Sequence, residues 1–395
     1  MIPDQARQGR WAVAACFFVN GLIIGSWAPQ IPLLAQRFGL RETTVGLVIL
    51  TLGIGAVLVM PICGWLISRT SSRTVLRGSA MLCAFALLLV ALAPSLLFVV
   101  PAVALFGAFV GGMDVAMNSN AVVVERRLGA AIMSSSHGFW SLGGFIGAGA
   151  GGKMAEAWGH LGHACVVTVA ILGILAVALP RLIVEADARP AASGKAAESR
   201  FPRDPGVYLV GLVALLCMVP EGAVLDWAAL YLRQEMGATL ATASLAFTFF
   251  SGTMALMRFA GDGVRNRLGA VATIRISGTV AAVGMLAAGA SSNPFVAIVA
   301  FALAGLGVAN MVPIVFSAAG NQPGTSSAIA MSVATTIGYS GILVVPSFVG
   351  FLAERTGFSP IFIGFSGILM IVVLLAERMR PADGIATQPS PDLPL

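Results

Sequence analysis

The chain has 395 residues, of which 58% are hydrophobic and only 10% are charged. Soluble domains carry about 25% charged residues, so this composition excludes a water-soluble protein. The net charge of +6 does not indicate nucleic-acid binding, because the basic residues follow the ends of apolar segments, as in membrane topology. The 46 glycines suit helices that pack closely in lipid. We therefore expect a multi-pass membrane protein.

Twelve apolar stretches are long enough to span a bilayer, which takes about 20 residues each. They cover residues 11–36, 43–68, 74–93, 96–124, 131–156, 162–184, 206–233, 240–264, 270–290, 294–318, 327–354 and 358–378. The first is too long for the apolar core of a signal peptide. The fold class expected is all-α, with twelve transmembrane helices in two pseudo-symmetric six-helix bundles.

The clearest break in the apolar pattern is residues 185–204, where charged residues alternate with Ala, Ser, Gly and Pro. Such a segment is typical of a flexible linker. It divides the chain into an N-terminal bundle, residues 1–184, and a C-terminal bundle, residues 205–395, whose tail after Arg380 we expect to be disordered. Most of the 23 Arg and Lys residues lie on the side of the termini, which predicts that both termini are cytoplasmic.

The two halves repeat each other at an offset of 198 residues. Pairs related in this way, or by two residues more, are Met133-Ser134 and Met331-Ser332, Gly143 and Gly341, Glu156 and Glu354, Gly159 and Gly357, and Trp27-Ala28 and Trp227-Ala228. Membrane chains built from two similar halves are typical of transporters in which one half rocks against the other around a central site.

The loop between the second and third segments reads Gly-Trp-Leu-Ile-Ser-Arg-Thr-Ser-Ser-Arg over residues 64–73. It resembles the G-x-L-x-D-R-x-G-R-(R/K) signature of the major facilitator superfamily, with Ser68 in place of the acid and Ser71 in place of the second glycine. The matching loop of the second half, residues 261–269, keeps an acid and two arginines. The resemblance implies a secondary transporter that works by alternating access.

Residues 27–32, 114–118 and 136–143 resemble the MosC-like branch of that superfamily, which is allied to the fucose permeases. This resemblance implies a symporter for a small polar, sugar-like solute with proton coupling, in the bacterial inner membrane. It does not name the solute.

The fourth segment carries the strongest candidate for the transport chemistry. Gly107, Gly111, Asp114, Asn118 and Glu125 share one helical face at about 100° per residue. Intramembrane carboxylates are energetically unfavourable and usually face a polar cavity. Asp114 is therefore read as a transport or proton site, with a buried structural hydrogen-bond partner as the alternative.

The fucose permeases place functional carboxylates on the first and fourth helices. Asp114 is the nearest match on the fourth helix, whereas the strongly polar mid-helix residue of the first segment is Asn20. The resemblance therefore leaves proton coupling of the same design open.

The seventh segment contains Pro220-Glu221-Gly222, which indicates a kinked helix facing a cavity. Glu221 is the better site candidate there. Asp226 lies nearer the outer end of the segment, and a solvated rim position or an outer-gate role is equally compatible with it.

Polar and aromatic residues elsewhere complete the predicted solute and proton pathway. His137, Trp140 and Ser141 share a face of the fifth segment at i, i+3 and i+4, although a His that only packs near the helix end is the alternative reading. Aromatic rings could stack on a sugar, and an amide could bind it. The remaining candidates are Trp27, Trp227, Tyr339 and Asn310.

Charged residues at the ends of the segments on the termini side predict a cytoplasmic gate. The set is Arg69, Arg73, Glu125, Asp262 and Arg265. Ion pairs among them would hold the outward-open state, with solvated loop charge as the alternative, since exposed pairs contribute little.

The fifth segment also holds the glycine-rich run of residues 143–152. It resembles the helix 5 signature of drug antiporters, with Ala148 in place of the proline, so a proton-driven drug or metabolite exporter is the second hypothesis. Close helix packing alone also explains such glycines.

The sequence does not favour an enzyme. It lacks the HExxH and G-x-S-x-G motifs of hydrolases, and its cysteines lie singly without metal-site spacing. We expect no cofactor and no metal. The partners expected are a small-molecule solute, protons and the lipid bilayer, with no nucleic acid, and a functional monomer. A transport-dead receptor of the same fold would be expected to lack intramembrane acids.

Overall fold

The computed structural model describes residues 4–128, 132–183, 204–322 and 327–387. These residues form twelve α-helices and two short 3-10 helices, and no strand occurs among them. The α-helices are α1 (Asp4–Phe38), α2 (Glu42–Arg69), α3 (Ser72–Ala84), α4 (Ala86–Leu92), α5 (Leu96–Leu128), α6 (Met133–Ala178), α7 (Pro205–Met236), α8 (Leu240–Ala290), α9 (Pro294–Val308), α10 (Met311–Gly320), α11 (Ser327–Thr356) and α12 (Ser359–Leu374).

The helices do not map one to one onto membrane crossings. At 1.5 Å per residue, α6 and α8 would each be roughly 70 Å long if straight, more than twice the bilayer core. Each instead turns at a glycine with a positive φ, Gly159 (69°) and Gly269 (77°). In contrast, α3 with α4 and α9 with α10 each lie in one span, Ser72–Leu92 and Pro294–Ala319. These bounds confirm the predicted all-α membrane fold.

Nine helical segments in the described part of the chain are long and apolar enough to cross a membrane, or ten if the bent pair Ser359–Leu374 and Ala376–Asp383 is one span. One of the nine, Ser135–Arg181, contains the turn at Gly159 and so holds two crossings. The exact number of twelve stays a prediction.

The repeat predicted from the sequence reappears in the backbone. Gly159 and Gly357 have φ values of 69° and 78°, and Gly39 and Gly237, also 198 residues apart, have values of 61° and 63°. Positive φ values are unfavourable for residues with a Cβ atom. Both halves therefore reverse direction at equivalent glycines.

Polar contacts join the two halves at the end of the molecule opposite the termini. Arg41 and Glu354 form an ion pair of 3.4 Å, and the Gln234 amide donates to Glu42 at 2.9 Å. The backbones also approach closely there, since a Cβ atom on Gly46 would lie 2.6 Å from the Pro346 carbonyl oxygen. The structure is therefore closed at this end.

A second contact between the halves runs along α6 and α8. It extends from the rings of Phe139 and Phe259, 5.7 Å apart, to the Glu156 carboxylate, which accepts from the Ala241 amide at 2.7 Å. In its middle, the Ser251 hydroxyl donates to the Ser141 carbonyl at 2.7 Å.

Two sequence predictions concern the regions that connect and end the halves. Residues 185–203, most of the predicted linker, lie outside the described residues, as do residues 388–395 of the tail. Disorder of the tail stays a prediction for those residues, whereas residues 381–387, directly after Arg380, belong to a 3-10 helix. The Asp383 carboxylate accepts from the Ala270 amide at 2.7 Å and so fastens this segment to α8.

Candidate solute cavity

A cavity of about 620 Å³ lies between the two halves. Its walls come from both halves, namely from α1, α2, α5 and α6 on one side and from α7, α8, α10 and α11 on the other. It reaches toward the termini end, where Met133 and Arg265 line it. The volume suits a solute the size of a sugar or a nucleoside.

The wall changes in character along the length of the cavity. Its closed end is formed largely by apolar side chains, among them Ile49, Leu52, Phe247 and Val345. Polar and charged side chains concentrate in the middle and toward the termini. Among them are Asn20, Asp114, Asn118, His137, Glu221, Arg258, Arg265 and Asn310, while Asp226 lies nearer the closed end.

Asp114 faces the cavity with Asn118 one helical turn away. The Asn118 amide donates to the Asp114 carboxylate at 3.2 Å and to the Asp114 backbone carbonyl at 2.9 Å. Within the described residues, Asp114 forms no ion pair. The structure thus places the carboxylate and the amide of the predicted α5 face together in the cavity wall.

An ion pair that the sequence analysis missed lies across the cavity from α5. Arg258 on α8 contacts Glu221 on α7 at 3.3 Å, and its guanidinium donates to the Ser141 hydroxyl on α6 at 2.7 Å. The side chains of Arg258 and Glu221 are 12% and 21% exposed. The only sequence signal was an arginine deep within an apolar segment, which usually indicates a partner or a function.

Asn20 connects three helices of the first half at the cavity wall. Its amide donates to the Val110 carbonyl at 3.2 Å, and its side-chain oxygen accepts from the Trp140 indole at 2.9 Å. Both polar ends of Asn20 are therefore satisfied by the protein, which favours a structural role for this residue.

Three other predicted site residues also line the cavity. His137 packs edge-on against Phe17, with ring centroids 5.0 Å apart. Asn310 lies at the break between α9 and α10, and its side-chain nitrogen has no hydrogen-bond partner among the described residues. Asp226 lies in the cavity wall on α7 rather than on a solvated rim.

The predicted aromatic residues are placed differently from one another. Trp27 is buried against Phe106 at 5.5 Å and lies outside the cavity lining. Trp227 borders the cavity, although its ring packs against Phe358 at 5.6 Å. The side chain of Tyr339 lies outside the described part of the structure.

The predicted gate residues make contacts within their own halves. Arg69 lies over the Trp65 ring at 5.5 Å. The Glu125 carboxylate accepts from the backbone amides of Ile132 and Met133 at 2.7 and 3.0 Å. Glu125 therefore caps the start of α6, a favourable place for a negative charge.

The remaining gate residues differ in how far they are described. Arg73 is partly buried, and its Nε atom has no hydrogen-bond partner among the described residues. Arg265 donates to the Ser317 hydroxyl at 2.9 Å and to the Ala382 carbonyl. The Asp262 side chain lies outside the described residues. A gate formed by these groups stays a prediction.

The glycine-rich run of α6 packs against two different helices. Cβ atoms on Gly143 and Gly147 would lie 2.1 and 2.3 Å from backbone oxygens of α1, and one on Gly144 would lie 2.7 Å from the Ser251 hydroxyl of α8. Close packing on α1 and α8 thus accounts for these glycines.

Two overlapping parts of the chain, residues 13–227 and 210–393, match the Major Facilitator Superfamily. The chain belongs to this superfamily. It is 36% identical over 366 residues to an uncharacterized MFS-type transporter of Yersinia pestis, covering 92% of this chain and 93% of that one. It is also 33% identical over 354 residues to membrane protein MosC of Rhizobium meliloti, covering 88% and 84%.

Solved transporter structures share the fold. A point mutant of the nucleoside transporter NupG superposes with a TM-score of 0.74 at 13% identity, covering 94% of this chain and 99% of that one. A D-xylose-proton symporter superposes with a TM-score of 0.72 at 14% identity, covering 94% and 96%. The protein is thus a multi-pass transporter of the superfamily, as the loop signature predicted.

Proposed function

We propose that the protein carries a small polar, sugar-like solute across the bacterial inner membrane by alternating access, coupled to protons. The observation that supports this most directly is the cavity between the halves, which holds a band of polar side chains and is closed at one end. The cavity is the place where a solute would be exposed to one side at a time.

Asp114 is the group that we propose carries the proton. It faces the cavity, it has no cationic partner among the described residues, and its one side-chain hydrogen bond comes from Asn118 on the same helix. A carboxylate in this position can take a proton from one side and release it to the other as the cavity alternates. In contrast, Glu221 is held by Arg258.

The orientation proposed has both termini in the cytoplasm. It follows the positive residues of the sequence, which concentrate on the side of the termini. In this orientation the contacts of Arg41 with Glu354 and of Gln234 with Glu42 lie at the outer face. The structure then represents an inward-facing state.

The test uses proteoliposomes that contain the wild type or the Asp114→Asn variant. A thermal-shift panel of pentoses, hexoses, polyols and nucleosides first selects the solute. We expect the variant to lose accumulation driven by a proton gradient while it keeps solute exchange without a gradient. Asp383→Asn is the matched control, because it removes a carboxylate outside the cavity, and it should accumulate the solute normally.

Unchanged accumulation by the Asp114→Asn variant would refute proton coupling through this residue. If no sugar, polyol or nucleoside stabilised the wild type or exchanged across the membrane, the proposed solute class would be wrong. A purely apolar compound as the bound and exported solute would instead support the exporter hypothesis.

A further inference from the structure

The Asp226 carboxylate is uncompensated within the cavity wall. It lines the cavity from α7, and no described residue forms a hydrogen bond or an ion pair with its side chain. Burying a charge without a partner is strongly unfavourable. Most charged groups in a membrane interior are paired, as Glu221 is here with Arg258 at 3.3 Å.

The surroundings of Asp226 isolate it further. Asp226 lies ten residues, about 15 Å, from the closed end of α7. The cavity wall near that depth is largely apolar, with Leu52, Phe247 and Val345. Arg258 lies about 27 Å into α8 from the same end of the molecule. Its Nη1 and Nη2 atoms donate to Ser141 and Glu221, whereas its Nε atom has no hydrogen-bond partner among the described residues.

A second unsatisfied group lies in the same cavity. The side-chain nitrogen of Asn310 has no hydrogen-bond partner among the described residues, although only 7% of the residue is exposed. Buried hydrogen-bond donors in proteins normally have a partner. Counted along the helices from the closed end, Asn310 and Asp226 are separated by roughly 10 Å in depth.

We propose that the solute carries an ammonium group that binds Asp226 and an oxygen, of a hydroxyl or carbonyl, that accepts from the Asn310 amide. This assignment rests on the proposed transport function and narrows its solute class to amine-bearing polar compounds. The separation of the two groups suits a solute of the size that the 620 Å³ cavity accommodates.

The chemistry of Asp226 favours a cation over a neutral ligand. A hydroxyl donor would give the carboxylate one hydrogen bond and leave its charge in an apolar surrounding. An ammonium group supplies both a hydrogen bond and the opposite charge, and charge-assisted bonds are roughly twice as strong as neutral ones.

The experiment measures binding of amine and alcohol pairs to the purified full-length protein. The pairs are D-glucosamine with D-glucose and 2-phenylethylamine with 2-phenylethanol, at a pH at which the amines carry their proton. We expect the wild type to bind at least one amine about tenfold or more tightly than its alcohol. The Asp226→Asn variant should lose that preference and keep its affinity for the alcohol.

Two further variants keep the test decisive. Asp226→Glu retains the charge and should retain a preference for the amine, even if Asp226→Asn expresses poorly. Asn310→Leu should weaken the binding of D-glucosamine and of D-glucose by similar factors, since the two sugars share every oxygen except the one at C2. The binding of 2-phenylethylamine, which has no oxygen, should not change. Removal of an uncompensated carboxylate should also leave the melting temperature of the ligand-free Asp226→Asn protein unchanged or raised.

The results separate this inference from the transport proposal. If no amine binds the wild type better than its alcohol, or if Asp226→Asn keeps the preference, the inference is wrong. Proton-driven uptake of a neutral sugar by the wild type would in that case leave the proposed function standing. Loss of amine preference in Asp114→Asn rather than in Asp226→Asn would also overturn the assignment of the ammonium group to Asp226.

Discussion

The two halves of this transporter share their turns and differ in their cavity chemistry. Asp114 and Asn118 of the first half correspond, 198 residues later, to Val312 and Phe316, and Arg258 of the second half corresponds to Met60. All six line the same cavity. The repeat thus preserves the scaffold, whereas the polar groups of the cavity stand at positions that are apolar in the other half.

The largest effect on stability is expected when Arg258 of the second half is replaced by methionine, the residue at the equivalent position 60 of the first half. Arg258→Met leaves Glu221 without its ion-pair partner, and we expect a loss of about 3 kcal/mol of stability, because a remaining unpaired charge is strongly destabilising. Thermal unfolding in detergent measures the loss.

The double variant Arg258→Met, Glu221→Gln is the control for that loss. It removes both charges and should regain most of the stability. If the single and double variants unfold at the same temperature, the loss of stability does not come from an unpaired Glu221 carboxylate.

A smaller effect on stability should distinguish Asn20 of the first half from Asn310 of the second. Asn20→Leu leaves the Trp140 indole without its acceptor, which should lower stability by about 1–3 kcal/mol. Asn310→Leu removes a donor that has no partner among the described residues, so its stability should change less. Equal destabilisation by both variants in thermal unfolding would contradict the assignment of Asn20 as structural and Asn310 as free for solute.

The smallest effect tests the equivalence of the turns. Gly159→Ala adds a Cβ atom in open space at a residue whose φ is 69°. Only the unfavourable backbone conformation should then lower stability, by roughly 1–2 kcal/mol. Gly357→Ala adds a contact of 2.8 Å with the Glu235 carboxylate, and should be worse. Gly173→Ala, within a helix and with open space around it, is the control and should be neutral or stabilising. An equal melting temperature for all three variants would refute the turn argument.

The sequence predicted the fold better than the site. Apolar segment lengths and the glycine turns place the helices, because both depend on local chain chemistry and on bilayer thickness. The α5 face of Asp114 and Asn118 was likewise readable from helical spacing. These features need no knowledge of how distant helices meet.

The contacts between helices could not be read in the same way. Glu221 and Arg258 are 37 residues apart on two adjoining helices, and no local pattern indicates which residues face each other. Glu125 is a second example, since its cap on the start of α6 depends on how that start is placed against the end of α5. Pairing of this kind is a property of tertiary packing.

The seam between α6 and α8 has a mechanical consequence. It joins the halves from Phe139 and Phe259 to Glu156 and Ala241, whereas the identified contacts of α2 with α11 join residues 41–46 to 346–354. The seam along α6 and α8 therefore resists separation of the halves over much of the cavity's length, whereas the contacts of residues 41–46 with 346–354 hold only the closed end. Opening of that end then requires few contacts to break, and the halves can tilt against each other while the seam keeps them together.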